Sequence, residues 1–128
     1  SNKDDWRGVT RYVLASARPE DGVLFLPSYT IAPFDYYRER SDLPDYPPAV
    51  ANFADGLEAL QKRFGRVWFI YTPNGVDDQG SSDSLSRRFP VLADRRFVGI
   101  RVTLYDTRQS PLPRSMQDRG ALFDTTRH

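Results

Sequence analysis

Six side chains in this chain have types and positions suited to holding a ligand: Ser28, Tyr29, Tyr36, Tyr37, Asn74 and Asp106. Ser28 with Tyr29, Asn74, and Asp106 each follow closely on an apolar run that reads as a β-strand. In open α/β sheets, ligands sit beyond the carboxyl ends of the strands. If the strands run parallel, these hydroxyl, amide and carboxylate groups converge on a polar site suited to a sugar or a phosphate. Turn chemistry accounts for the same residue types, because Asn74-Gly75 is a common turn pair and an aspartate often stops a strand. The aromatic group Tyr29, Phe34, Tyr36 and Tyr37 poses a second choice. Rings with an apolar face and a polar edge could stack on a sugar ring or a lipid chain. Alternatively, Phe34 and Tyr37, three apart, fill the core while Tyr36 shields a loop.

Other chemistries find no support. The eight glycines form neither G-x-G-x-x-G after a strand nor G-x-x-x-x-G-K, so the loops that cradle dinucleotides and nucleoside triphosphates are missing. The single histidine, His128, is the last residue, which leaves no ordered base for a Ser-His-Asp triad. With no cysteine, the chain makes no disulfide, zinc-thiolate site or thiol nucleophile, a composition compatible with an oxidising exterior compartment. The adjacent acids Asp4-Asp5 and Asp77-Asp78 point apart on regular structure, and capping and solvation explain them better than a metal or an acid/base pair. No metal ligands, no cofactor and no catalytic residue are therefore assigned. Lys and Arg total 18 against 17 Asp and Glu, so no global field attracts nucleic acid. Only Lys3 and Lys62 are lysines, which leaves sixteen arginines, the side chain that grips phosphate with two parallel hydrogen bonds. Arg87-Arg88 and Arg95-Arg96 read as a solvated face.

The elements that must position these residues follow from periodicity. Trp6, Val9, Val13 and Leu14 recur at helical spacing behind Asp4 and Asp5, which suit a helix N-terminus, and Arg18-Pro19 ends that helix. Asp21-Gly22 turns the chain into Val23-Leu24-Phe25-Leu26, an unbroken apolar run expected of a central strand covered on both faces. Ile31 to Tyr37 is expected to form a short helix with Pro33 near its start. Residues 41–49 read as a proline-rich loop. Val50, Phe53, Leu57, Leu60 and Phe64 alternate by three and four, predicting a long amphipathic helix with Gly65 as its cap.

Arg66 to Tyr71 is the second strand, and Val76 to Ser82 reads as a polar loop. Leu85, Phe89 and Leu92 suggest a third helix that Pro90 interrupts. Phe97 to Tyr105 alternates, with Val98, Ile100, Val102 and Leu104 on one side, so the third strand is expected at an edge and is a candidate for antiparallel pairing. The fold class expected is a small, layered, Rossmann-like α/β domain with three or more mainly parallel strands flanked by helices. An additional strand is anticipated from residues 38–46 or from the tail. The division expected is an α/β domain over residues 1–107 and an irregular tail over 108–128. At 128 residues and 39% apolar composition, one core is the natural outcome.

The order of Asp5-Trp6-Arg7, Arg18-Pro19-x-Asp21 leading into Val23-Leu24-Phe25, Phe34-x-Tyr36-Tyr37, Arg66-Val67-Trp68-Phe69-Ile70 and Val102-x-Leu104-Tyr105 resembles a known family. It is similar to the soluble, extracytoplasmic domain that follows the last membrane span of bacterial polyprenyl-phosphate-dependent glycosyltransferases related to protein mannosyltransferases (family 39). The resemblance covers about the first 105 residues and is lost in the tail. It implies that the catalytic carboxylate, and any metal ion, belong to a membrane-embedded portion of the same polypeptide outside this chain. The expected role is then non-catalytic, helping to position an acceptor or a polyprenyl-linked sugar. No hydrophobic run approaches the roughly 18 residues that a membrane span requires, and Ser1-Asn2 reads as a remnant of expression. A freestanding α/β module that binds a small ligand or a protein partner remains the alternative.

Overall fold

The computed structural model describes residues 4–43, 49–73 and 78–108. Helix α1 (Trp6–Ser16) opens where the Asp5 carboxylate accepts the Gly8 N–H at 2.9 Å, satisfying one of the unpaired donors of the first turn. Its stripe of Trp6, Val9, Val13 and Leu14 is buried. The helix stops at Ala17, whose backbone is extended, two residues before Pro19. Strand β1 (Gly22–Leu26) follows, then one 3-10 turn over Ser28–Thr30 and helix α2 (Ile31–Glu39). Pro33 falls in the first turn of α2, where a missing N–H is harmless.

Strand β2 is the two-residue segment Ala49–Val50, helix α3 spans Leu57–Arg63, and strand β3 spans Arg66–Tyr71. Helix α4 (Asp78–Arg88) leads to strands β4 (Val91–Phe97) and β5 (Ile100–Asp106). Among the described residues the strands form one open sheet in the order β2-β1-β3-β5-β4. Strand β1 pairs in parallel with β2 and β3, while β5 pairs antiparallel with both β3 and β4. The molecule is thus a mixed α/β domain with helices on both faces.

Alternation along the interior strands divides the core in two. Val23, Phe25, Trp68, Ile70, Ile100, Val102 and Leu104 pack under α1 and α2 with Phe34. Leu24, Val67, Phe69, Tyr71 and Tyr105 face α3 and α4, meeting Leu60, Phe64, Leu85 and Phe89. The continuous apolar runs of β1 and β3 are explained by this double cover, and β1 is central, as its composition predicts.

Several expectations are corrected. The sheet is not mainly parallel, since the antiparallel pairs β3–β5 and β5–β4 are the more extensive. The third strand is not at an edge either. Residues 97–105 divide at Val98-Gly99, where Gly99 has φ 75° and the chain reverses, so β5 lies inside the sheet and β4 takes the edge. The one-sided alternation that suggested an edge arises because Thr103 and Arg101 meet Asp94 of β4 on the other face.

The long helix expected from Val50 is shortened to α3. Asn52 instead caps a 3-10 turn over Phe53–Asp55 through the Ala54 N–H at 2.9 Å, and Gly56 at φ 93° breaks the backbone before Leu57. Nor does Gly65 adopt the left-handed conformation of a cap, because the helix ends at Phe64 in extended geometry. The loop expected through Ser82 is mostly the first half of α4. Its polar composition conceals two anchors, Leu85 and Phe89, both almost fully buried, and each contributes about 1.5–3 kcal/mol by leaving water. Leu92 belongs to β4 and is half exposed. Among the described residues, the added strands come from residues 49–50 and 91–97; residues 38–43 carry the end of α2 and the turn after it, and residues 44–46 lie outside the described residues. The tail from residue 109 onward lies outside the described residues.

Candidate functional site

The antiparallel setting of β5 decides whether the expected strand-end site assembles. Ser28 and Tyr29 follow the carboxyl end of β1, whereas Asp106 pairs opposite Arg66, the first residue of β3. They therefore sit at opposite ends of the sheet, and Asp106 does not join Ser28 and Tyr29. Its carboxylate instead clasps Arg108, accepting the Arg108 N–H at 3.0 Å and Nε at 3.1 Å, and these bonds hold it below the usual carboxylate range. Asn74 lies outside the described residues. Tyr29 is 75% exposed at the carboxyl end, and Thr30 orders the turn beside it by donating its hydroxyl, at 2.7 Å, and its N–H, at 3.1 Å, to the Pro27 carbonyl.

Tyr36 and Tyr37 do come together with other chemistry. Helices α1 and α2 pack side by side over one face of the sheet, and a cleft of about 320 Å3 opens between them. Helix α1 contributes Arg7, Thr10 and Arg11, and α2 contributes Tyr36 and Tyr37, with Arg40, Ser41 and Asp42 directly after it. The two tyrosine rings meet edge to face with centroids 5.0 Å apart. Tyr37 also packs against the core under α1 and α2, and Tyr36 is half exposed. The bland assignment of Phe34 to the core holds, at 3% exposure against the Phe25 ring.

Each guanidinium in the cleft is arranged differently. Arg40 lies 3.7 Å from the Tyr36 centroid and donates from Nη1 to the Tyr36 carbonyl at 2.8 Å, so ring and backbone fix its orientation. Arg7 rests over Tyr37 at 5.7 Å. Among the described residues, neither Arg7 nor Arg11 forms an ion pair with a carboxylate. Between them lies Thr10, 1% exposed, whose hydroxyl has no hydrogen-bond partner. Among the described lining residues, three guanidiniums and one carboxylate leave an excess of two positive charges. The volume falls at the lower end of small-molecule sites, about 300–1,000 Å3.

Sequence reasoning found two of these residues and missed the rest. The available signal was local: Arg7 and Arg11 are four apart on α1, as are Tyr36 and Arg40 at the end of α2, a spacing that aligns side chains along a helix face. Asp21 was read as turn chemistry and carries more. Its carboxylate is completely enclosed and accepts Arg66 Nη2 at 2.7 Å, Trp68 Nε1 at 2.9 Å and the Arg18 N–H at 2.9 Å on Oδ2, with Arg66 Nε at 3.0 Å on Oδ1. Burial pushes its proton affinity up, and the donors of Arg66, Arg18 and Trp68 together outweigh burial and hold the carboxyl below its ordinary range. That knot ties the start of β1 to the start of β3, and it is structural.

A second cluster joins Asp94 to Arg101, with Nη2 at 2.6 Å and Nε at 2.9 Å, and Arg101 reaches the Tyr71 hydroxyl at 3.4 Å. The Arg101 bonds depress the Asp94 carboxyl, and the same bonds raise Arg101. The arrangement braces the β4–β5 hairpin against β3. Tyr105, bonded to Ser86 Oγ at 3.0 Å, has its hydroxyl pushed up by burial and fastens α4 to the sheet. Among the described residues, no three carboxylate or histidine groups converge as metal ligands would.

No family model, curated protein or solved structure matches the chain. Among the described residues, no helix is long and apolar enough to cross a membrane.

Proposed function

We propose that this chain is a non-catalytic, extracytoplasmic domain of a membrane glycosyltransferase, which helps to position an acceptor or a polyprenyl-phosphate sugar donor for a membrane-embedded catalytic portion of the same polypeptide. The observation that supports it is the α1–α2 cleft, where Tyr36 and Tyr37 stand beside Arg7, Arg11 and Arg40. Aromatic rings with polar edges suit sugar faces and the bases of lipid chains, and guanidiniums suit the anionic group between them. Geometry of this kind serves binding and orientation.

Within this reading the parallel unit β2-β1-β3 is the Rossmann-like part of the fold, with α2 linking β1 to β2 over one face and α3 linking β2 to β3 over the other. At its carboxyl end stand two exposed apolar side chains, Tyr29 after β1 at 75% and Val98 in the adjoining β4–β5 turn at 68%. These tips suit contact with the membrane-embedded portion.

The test is sugar transfer by the longer polypeptide, with this domain intact, deleted, or carrying Tyr36→Ala with Arg40→Ala. Activity is expected to fall in both altered forms, while the isolated domain turns over neither donor nor phosphoester. Robust turnover by the isolated domain, or a natural polypeptide without membrane spans, overturns the reading. The latter result favours a freestanding α/β binding module.

A further inference from the structure

We infer that the α1–α2 cleft is a phosphate-recognition site, in which Arg7, Arg11 and Arg40 hold a phosphoryl oxyanion over Thr10. This deepens the reading above and rests on it only in placing ligand binding in this cleft. Arg7 and Arg11 have no carboxylate partner among the described residues, so their donors remain free to meet an anion. Arg40 is already oriented, its guanidinium 3.7 Å from the Tyr36 centroid and tied to the Tyr36 carbonyl. A guanidinium held in this way presents its remaining N–H groups with little further loss of freedom.

Thr10 supplies an independent observation. Thr10 lines the cleft, and its buried hydroxyl lacks a partner among the described residues, a condition that costs free energy in the unliganded protein. A phosphoryl oxygen pressed into the cleft between the flanking arginines provides an acceptor for it. The tyrosine pair then lines the wall against which the group carrying the phosphate would lie. Asp42 is the one acid among the described lining residues, and Glu39 lies 3.9 Å from Arg40 Nη1 beside the cleft; both carboxylates oppose the anion.

The chemistry is that of a phosphate group, whether it arrives on a small molecule or on a lipid headgroup, and three probes separate these sources. The 128-residue chain is titrated with inorganic phosphate, with a hexose 1-phosphate, and with vesicles containing an anionic phospholipid against zwitterionic controls. Backbone amide shifts and calorimetry report binding. Shifts are expected at residues 7–11 and 36–42, with affinity that weakens as salt is raised.

Arg11→Ala and Arg40→Ala should each weaken binding roughly tenfold, the loss of one charge-assisted hydrogen bond. Asp42→Asn should strengthen it about two- to fivefold. Thr10→Val should weaken binding without lowering the melting temperature, since it removes a hydroxyl that has no partner in the free protein. Arg87→Ala, on exposed α4, should change nothing. Binding of a small phosphate identifies a soluble source, and binding of anionic vesicles alone identifies a headgroup. Failure of all three probes, or shifts confined to another surface, overturns the inference. If phosphate binds here and the longer polypeptide transfers sugar normally without the domain, the phosphate site stands and the accessory role falls.

Discussion

Replacing Asp21 with Asn gives the sharpest test of how this fold is held. The native carboxylate accepts four hydrogen bonds, three on Oδ2 and one on Oδ1, with its side chain fully enclosed and that of Arg66 only 11% exposed. An amide of the same shape has one acceptor oxygen. If that oxygen takes the Oδ2 position, the NH2 group faces the Arg66 Nε donor, and the guanidinium loses its counter-charge. Removing one partner of a buried ion pair costs about 3–5 kcal/mol. For a domain of this size that corresponds to a fall in melting temperature of about 10–20 °C.

Urea unfolding of Asp21→Asn, Arg66→Met and the double variant measures the effect, and the double should lose clearly less than the sum of the singles. The pH dependence has a definite sign. The folded-state carboxyl is depressed, so its stabilisation is present above the unfolded value of about 3.9 and disappears as pH falls through the folded one. The gap between the native protein and Asp21→Asn should therefore narrow as the pH falls below about 4. A loss below about 1 kcal/mol at neutral pH, or a gap that stays constant on acidification, refutes the reasoning.

Two further outcomes separate binding from packing. Tyr36→Ala should change the melting temperature by no more than about 2 °C because the ring is half exposed, whereas Tyr37→Ala should cost about 1–2 kcal/mol of core contact, a fall of roughly 3–8 °C; equal losses at the two positions in thermal melts would contradict this division. Gly22→Ala should destabilise by about 1–3 kcal/mol, because a Cβ there would lie 2.7 Å from the Phe64 ring in a buried layer. An unchanged urea midpoint would show that Phe64 yields freely.

Much of the scaffold is legible locally. Asp5 before the Trp6, Val9, Val13 stripe specifies a capped helix, and the unbroken runs at Val23 and Arg66 specify strands buried on both sides, since spacing and side-chain volume act within a few residues. Local pattern fails where a tertiary contact overrides it. The three-and-four spacing from Val50 is real, yet pairing of Val50 with Val23 and the positive φ of Gly56 divert that stretch from one helix. Leu85 and Phe89, with the Ser86–Tyr105 hydrogen bond, dock α4, so a segment whose average is polar still folds as a helix. The candidate site was half visible: Tyr36 and Tyr37 drew notice as rings, and the arginines did not, because their value depends on how each is held, Arg40 by Tyr36 and Arg7 and Arg11 without a carboxylate among the described residues.

From the sequence alone come the alternation of helix and strand, the central position of β1, and the means to hold a ligand by hydroxyl, ring and guanidinium. Tertiary structure alone decides which of these groups meet. Reversal at Gly99 sends β5 antiparallel and carries Asp106 to the far end from Ser28, while the packing of α1 on α2 gathers residues some thirty positions apart into one cleft. Strand direction and helix docking are set by long-range burial, to which no single segment holds the answer.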